Sequence, residues 1–135
     1  MSNIAVIYWS GTDNTEAMAR AVAEGAGAEL FAVSDFDISA LDNYGAFALG
    51  CPAMGCEVLE EGEFAPFFEG IKSQLAGKKV ALFGSYGWGD GQWMRDWEAD
   101  AQAASLTLAC DSVICNEAPD DEATAALEAL AKAIG

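Results

Sequence analysis

The chain has 135 residues, of which 53% are hydrophobic, so it can bury one core but is too short for two conventional domains. Its 22 acidic residues outnumber 6 basic ones, and the net charge of −16 repels the phosphates of nucleic acids and anionic membrane surfaces. Because no apolar run is long enough to cross a bilayer and no secretory pattern opens the sequence, we expect a cytoplasmic protein whose partners include neither membrane nor nucleic acid.

The first half of the chain alternates between short apolar runs and helical spacing, which predicts a parallel sheet covered on both faces. Residues 4–9 are apolar throughout, as in a central strand. The buried face of the helix that follows is predicted to carry Ala17, Met18, Ala21 and Val22. Residues 29–33 predict a weaker edge strand, and residues 46–49 predict the next buried strand.

The second half continues the same alternation. A helix after the loop at residues 50–62 is predicted to bury Phe64, Phe67, Phe68, Ile71 and Leu75. Residues 80–83 predict a fourth strand, residues 84–91 a glycine-rich loop, and residues 106–115 the last strand. The helix between the last two strands is predicted to bury Trp93, Met94, Trp97 and Ala101. Asp120 is placed to cap the final helix, whose predicted buried stripe is Leu127, Leu130, Ala131 and Ile134.

Five strands joined by helices require right-handed crossovers, and the chemistry of such sheets lies at the carboxyl ends of the strands. The first loop at that edge joins a buried strand to a helix N-terminus, where glycine and small hydroxyl residues let backbone N–H groups converge on an anion. The predicted phosphate-binding residues of this loop are Ser10, Gly11, Thr12, Asp13, Asn14 and Thr15. The loop contains no lysine or arginine and the chain has no Walker pattern, which disfavours a nucleotidase.

Two further loops at the same edge offer surfaces for a flat ring. In the second, Met54 can lay a thioether against an aromatic ring, Gly55 can turn its peptide plane, and Glu57 offers an acceptor. In the third, Trp88 stands between glycines, and a planar ligand would cover the indole. Each loop alone is also compatible with an ordinary turn or with core packing, but the three together predict one site.

The cysteine spacing does not predict a metal site. Cys51 and Cys56 are five residues apart, as are Cys110 and Cys115, whereas zinc and iron–sulfur sites usually use closer pairs. The chain also has no histidine to complete a mixed site. We therefore predict no metal and expect the cysteines to remain thiols.

Taken together, the three loops resemble those of the short-chain flavodoxins of anaerobic bacteria. The resemblance rests on the motifs YWSGT with NT at 8–15, GC with AMG at 50–55, and GSYGWG at 84–89, and it extends over essentially the whole chain. It implies one flavodoxin-like domain over residues 1–135, an α/β fold with a doubly wound parallel sheet of five strands in the order 2-1-3-4-5 and helices on both faces. It further implies non-covalently bound FMN and a low-potential one-electron carrier, not an enzyme.

The resemblance also implies roles for individual residues. The first loop would hold the phosphate, Met54 and Trp88 would cover the two ring faces, and Glu57 would bind the N3 edge of the ring. Gly55 would turn its carbonyl toward ring nitrogen N5 on reduction. Beyond the first loop, the predicted cofactor-binding residues are Pro52, Ala53, Met54, Gly55, Glu57, Ser85, Tyr86, Gly87, Trp88, Gly89 and Asn116.

Two positions depart from the family pattern. The family usually has glycine where this chain has Asp13, which places a carboxylate beside the phosphate and predicts weakened binding. Aspartate tolerates the left-handed backbone better than most residues. Relatives carry Asp or Ser where this chain has Cys56, a change that can alter the turning of the preceding glycine.

The partners that the resemblance implies are redox enzymes, such as pyruvate-oxidising enzymes, hydrogenases and reductases. The acidic chain predicts basic docking faces on them, and the carrier is expected to be a monomer. One alternative is a flavin-dependent NAD(P)H:quinone or nitro reductase on the same fold, which needs a nicotinamide pocket and is usually a dimer. A phosphoacceptor receiver would need acids on the first strand, and residues 4–9 contain none.

Overall fold

The computed structural model describes residues 3–9, 11, 13–54, 58–87, 89 and 91–134. The strands and helices, in chain order, are β1 (Ile4–Tyr8), α1 (Asn14–Ala26), β2 (Glu29–Ala32), β3 (Ala46–Gly50), α2 (Phe64–Ile71), β4 (Lys79–Tyr86), α3 (Gln92–Ala103), β5 (Thr107–Leu108), β6 (Val113–Asn116) and α4 (Asp121–Ile134). Two 3₁₀ segments, Val33–Asp35 and Ile38–Asn43, connect β2 to β3, and a third, Lys72–Leu75, extends α2.

The strands form one parallel sheet in the order β2-β1-β3-β4-β5, with β6 also paired to β4. β5 and β6 follow one another along the same side of β4, so together they fill the fifth position of the sheet. The predicted order 2-1-3-4-5 is therefore confirmed. Because the chain runs outward from β1 in both directions, the reversal of winding lies between β1 and β3.

Helices cover both faces of this sheet, as predicted. α2 and α3 pack over one core, and α1 and α4 pack over the other. The buried residues predicted for α2, α3 and α4 are all buried. Asp120 caps α4 as predicted, because its carboxylate accepts the Ala123 amide at 2.8 Å. None of the helices in the described ranges is both long and apolar enough to cross a membrane.

The predicted buried face of α1 needs a correction. Met18 and Val22 are buried, but Ala17 is exposed and Ala21 is only partly buried. The residues on the buried stripe are Thr15, Met18, Ala19, Val22 and Ala23. The stripe is rotated because Thr15, a polar residue, turns inward, which apolar spacing alone does not reveal.

Residues 106–115 were predicted to form one continuous last strand, and this prediction is wrong because the strand is divided into β5 and β6. Lys79 pairs with Thr107 and Phe83 pairs with Val113, so the outer strand uses two more residues than β4 over the same distance. The extra length leaves the sheet between β5 and β6. Ser112 holds this connection by donating to Glu98 Oε2 at 2.6 Å, which ties it to α3.

Candidate functional site

A groove of about 650 Å³ opens at the carboxyl edge of the sheet, above β1, β3 and β4. Its lining residues are Trp9, Gly11, Asn14, Pro52, Ala53, Met54, Ser85, Tyr86, Gly87, Glu117 and Ala118. The three loops singled out by the sequence thus meet in one groove, and the segment after β6 closes its fourth side. The volume lies within the range of about 300–1,000 Å³ that is typical of small-molecule sites.

The predicted site residues fall into three groups. Those that line the groove are Gly11, Asn14, Pro52, Ala53, Met54, Ser85, Tyr86 and Gly87. Those that the structure describes elsewhere are Asp13, Thr15, Gly89 and Asn116. Those that lie outside the described residues are Ser10, Thr12, Gly55, Glu57 and Trp88, and the same holds for Cys56.

Trp9 forms one wall of the groove, although the predicted site did not include it. Its amide donates to Gly50 O at 3.0 Å, and its indole Nε1 donates to Glu63 Oε1 at 3.1 Å. Gly11 lies against the indole, because a Cβ there would be 2.9 Å from the ring. The indole position therefore depends on Gly11 and Glu63. The sequence contained a signal for Trp9, since it ends an apolar run at the edge where the loops gather.

Asp13 precedes α1 in the left-handed conformation, with φ of 69°. Its carbonyl accepts the Ala17 amide at 2.9 Å, but its side chain makes no capping hydrogen bond. The exposed carboxylate thus adds a negative charge at the helix N-terminus without capping the helix. This is the backbone geometry in which glycine is favoured and aspartate is better tolerated than most residues.

Thr15 and Ser85 connect the first loop to β4. Both residues are buried, and their hydroxyl oxygens lie 3.1 Å apart. The carbonyl of Ser85 accepts the Ala53 amide at 3.0 Å, which clamps the second loop to the same strand. Two of the three loops are therefore held to β4 through one residue.

Cys51 anchors both stems of the second loop. Its amide donates to Phe83 O at 3.2 Å, its carbonyl accepts Trp93 Nε1 at 3.1 Å, and its thiol sulfur accepts the Glu60 amide at 3.3 Å. Burial raises the pKa of the Cys51 thiol to about 12, so it stays protonated at neutral pH. Its role in this geometry is to fix the loop.

Met54 and Val58 close the second loop with a pair of antiparallel hydrogen bonds of 2.8 and 3.0 Å. Met54 is exposed by 37% and lines the groove, so its thioether is available to a ligand. The residues between this pair lie outside the described part of the chain. The stem that presents them is nevertheless fixed at its base.

Glu60 caps α2 from a position well before the helix begins. Its carboxylate accepts the amides of Gly62, Glu63 and Phe64 at 2.7, 2.7 and 2.8 Å. Partial burial alone raises the pKa of Glu60, but these three donors outweigh it and lower the pKa below its usual value. The carboxylate is therefore ionised at neutral pH and links the end of the second loop to α2.

The third loop starts later than predicted. Residues 84–86 were predicted as loop but belong to β4, where they pair with residues 114–116 of β6. Gly84 is required in the strand because a Cβ there would lie 2.2 Å from Cys51 O. Glycine and serine at positions 84 and 85 favour a loop in the sequence. In the structure, Gly84 allows β4 to pass close to the carbonyl of Cys51, and Ser85 places its hydroxyl against that of Thr15.

The segment after β6 supplies the fourth side of the groove through Glu117 and Ala118, neither of which was among the predicted site residues. Glu117 has φ of 59°, its amide donates to Tyr86 O at 2.8 Å, and its carbonyl accepts the Cys115 thiol at 3.3 Å. Asn116 was predicted to bind the cofactor, but its side-chain amide donates to Tyr86 O at 3.2 Å and the residue does not line the groove. The position of this segment directly after a strand was the available signal.

The lining combines apolar and aromatic surfaces with very little positive charge. Of the described residues that line the groove, none is lysine or arginine, and Glu117 carries a negative charge. An indole, a phenol ring and a thioether suit the faces of a flat ring. Asn14 and the N-terminus of α1 at one end suit an anionic group held by neutral donors. These residues fit a planar aromatic ligand with an anionic tail.

Comparisons with known proteins agree with this geometry. A family model described as Flavodoxin matches residues 6–130. A flavodoxin of Clostridium beijerinckii is 49% identical over 121 residues, covering 86% of this chain and 88% of the relative. A flavodoxin of Megasphaera elsdenii is 42% identical over 123 residues, covering 87% and 89%. The solution structure of two-electron reduced M. elsdenii flavodoxin superposes with a TM-score of 0.82 over 96% of this chain and 98% of that one.

Proposed function

Because this chain belongs to the flavodoxin family and is therefore an FMN-binding electron carrier and not an enzyme, we propose that the groove at the carboxyl edge of the sheet is its FMN site. The observation that carries the proposal is the meeting of the first, second and third loops in one groove of about 650 Å³. The alternative of a flavin-dependent reductase is not favoured, since the relatives over most of the chain are flavodoxins.

Bound FMN supplies a ring that accepts and releases electrons, and the protein determines where that ring lies and how much charge it tolerates. Asn14 and the first turn of α1 would hold the phosphate, together with Ser10 and Thr12 of the same loop. Met54 and Tyr86 would contact the ring, with Trp88 as the second predicted face. Trp9, whose indole is held by Glu63, would form one wall beside the ring.

Charge in and around the groove would set the direction in which the reduction potential is shifted. Glu117 lies at the groove and Asp13 beside the phosphate end, and the whole chain carries a net charge of −16. Negative surroundings disfavour added negative charge on a bound flavin, which lowers its potential. This supports a low-potential carrier.

The partners are redox enzymes, and we expect the surfaces that dock here to be basic. Near the groove the carboxylates of Asp13, Glu63 and Glu117 are exposed. Within the described ranges, Arg20 forms an ion pair with Glu16, and Lys72 forms ion pairs with Glu69 and Asp100. A basic partner would be attracted over a distance that salt shortens, so electron-transfer rates should fall as ionic strength rises.

We further propose that residues 1–135 act as a single domain, that the carrier is a monomer, and that it works in the cytoplasm alongside its redox partners. The proposal of one domain is supported by the span of the family match, residues 6–130. Light scattering of the purified protein tests the monomer, with a mass near 14.1 kDa expected.

The function is tested by purifying the full chain and measuring its visible spectrum and its flavin content. We expect an equimolar amount of FMN, released on denaturation, and reduction in two separate one-electron steps during anaerobic titration. A chain that retains no flavin and does not bind added FMN at micromolar concentration would refute the proposal. Rapid oxidation of NADPH by the isolated holoprotein would instead favour a reductase.

A further inference from the structure

Two buried hydroxyls, those of Thr15 and Ser85, contact each other at the carboxyl edge of the sheet. Among the described residues, Thr15 and Ser85 are the polar side chains classed as buried, with exposures of 1% and 3%. Their oxygens are 3.1 Å apart. The pair joins the first turn of α1 to the carboxyl end of β4, two elements whose loops are predicted to bind opposite parts of the cofactor.

The hydrogen bond between the Thr15 and Ser85 hydroxyls uses only one of their two protons. Burying a hydroxyl costs free energy unless it is hydrogen-bonded, and two hydroxyls carry two protons, of which their mutual bond uses one. The hydrogen bonds within the described part of the chain give the second proton no acceptor. Asn14, the neighbour of Thr15, lines the groove at its helix end. Thr15 lies in the first turn of α1, the helix end at which the phosphate is proposed to bind.

Ser85 lines the groove, but its hydroxyl is paired with the Thr15 hydroxyl and is not free to act on the ring. It is almost fully buried, and its carbonyl is already engaged by the Ala53 amide. In the sheet it pairs in register with Cys115, whose thiol contacts Met18 Sδ at 3.5 Å, so apolar groups lie beneath it. Its hydroxyl has Thr15 as its partner across the core.

We propose that Ser85 is a positioning residue for the FMN phosphate and that it acts through Thr15, a role that rests on the proposed FMN site. The Ser85 hydroxyl donates to Thr15 Oγ1, and this directs the Thr15 proton to the phosphate. Ser85 belongs to the motif predicted to bind the ring, yet it acts at the opposite end of the cofactor. Through Ser85, β4 therefore holds the Ala53 amide with its backbone carbonyl and orients the phosphate-binding hydroxyl of Thr15 with its side chain.

The test compares FMN with riboflavin, which has the same ring and no phosphate. The full chain is freed of flavin and titrated with each, and the quenching of flavin fluorescence gives the dissociation constants. Ser85→Ala should weaken FMN binding about tenfold, as expected for a hydrogen bond that supports a charged acceptor, and change riboflavin binding less than twofold. The substitution keeps the backbone clamp on Ala53.

Three variants complete the experiment. Ser112→Ala is the matched control, because it removes a serine hydroxyl bonded to Glu98, away from the groove, and should leave both affinities unchanged. Thr15→Val should show the same loss that is selective for FMN, and Thr15→Ser, which keeps the hydroxyl, should retain FMN affinity. The double variant Thr15→Val with Ser85→Ala should bind FMN no more weakly than Thr15→Val alone.

The outcomes separate this role from others. Equal weakening of FMN and riboflavin by Ser85→Ala would overturn it in favour of a role in the ring site or in folding. Unchanged FMN binding, or additive losses in the double variant, would overturn it as well. Urea unfolding of the flavin-free variants checks that they fold. If Ser85→Ala does not fold, the comparison of Thr15→Val with Thr15→Ser tests whether the hydroxyl pair supports FMN binding. Failure of the unaltered chain to bind FMN would refute the proposed function itself.

Discussion

Replacing Asp13 by asparagine should tighten FMN binding while slightly destabilising the protein without flavin. The residue adopts φ of 69°, is exposed, and makes no side-chain cap. Asparagine tolerates the same left-handed backbone, so Asp13→Asn changes the charge and little else. The two effects have opposite signs because a helix N-terminus attracts a carboxylate, whereas a bound phosphate repels it.

The size of each effect follows from distance and charge. A carboxylate roughly 7 Å from a phosphate with a charge of about −2 is repelled in water by about 1 kcal/mol, or about fivefold in affinity. At 0.15 M salt the Debye length of about 8 Å reduces this to about twofold. Loss of the carboxylate from the helix N-terminus should cost about 0.3–1 kcal/mol of stability in the flavin-free protein.

The assay is fluorescence titration of the flavin-free protein with FMN and riboflavin at low and physiological salt. Glu24→Gln is the matched control, since it removes the same unit of charge from an exposed position of α1, about 16 Å further along the helix. Asp13→Asn should improve FMN binding and leave riboflavin binding unchanged, and Glu24→Gln should have a much smaller effect. An equal gain for both flavins, or no gain for FMN at low salt, would refute the reasoning.

Three further changes test the packing that supports the site. Asp120→Ala removes the acceptor of the Ala123 amide and should lower the free energy of unfolding by about 1 kcal/mol in urea, with Asp120→Asn largely retaining it. Gly84→Ala places a Cβ 2.2 Å from Cys51 O and should lower the free energy of unfolding by more than about 2 kcal/mol. The control Gly70→Ala lies in α2 with open space around it and should raise the free energy of unfolding by about 0.5 kcal/mol. Similar effects at both glycines would contradict the close approach of β4 to Cys51. Burial raises the pKa of Cys51 from an ordinary value of 9.0 to about 12, so above pH 9 the folded protein keeps a proton that the unfolded chain releases. The contribution of this thiol to the free energy of unfolding should therefore be complete below pH 9 and decline as the pH rises from 9 toward 12. Urea midpoints measured from pH 7 to 11 should fall less steeply in Cys51→Ala, and identical slopes would show that this thiol is not responsible.

The sheet was predictable because its central strands are apolar on both faces. Residues 4–8 and 46–50 are buried almost throughout, and such runs have few alternatives to a parallel sheet. The break in the outer strand was not predictable, since residues 106–110 continue the apolar pattern. Its position depends on the register against β4, which is a contact between distant parts of the chain.

The candidate site was predictable as a meeting of loops but less so in its individual contacts. Loops that follow parallel strands gather at one edge, which placed Asn14, Met54 and Tyr86 together. The inward rotation of Thr15 escaped prediction because its partner Ser85 is 70 residues away. The capping of α2 by Glu60 escaped it too, because the usual N-cap signals belong to small polar residues at the helix boundary.

The interruption between β5 and β6 also affects how copies of this protein meet one another. A long outer strand presents a row of unpaired N–H and C=O groups on which another chain can assemble. Here the outer strand has two residues, then a connection held to α3 by Ser112, then four more residues. The opposite edge, β2, has only four residues and begins with the exposed Glu29. Both rims of the sheet are therefore poor templates for fibre growth, which protects a small chain with a high apolar content from assembling edge to edge.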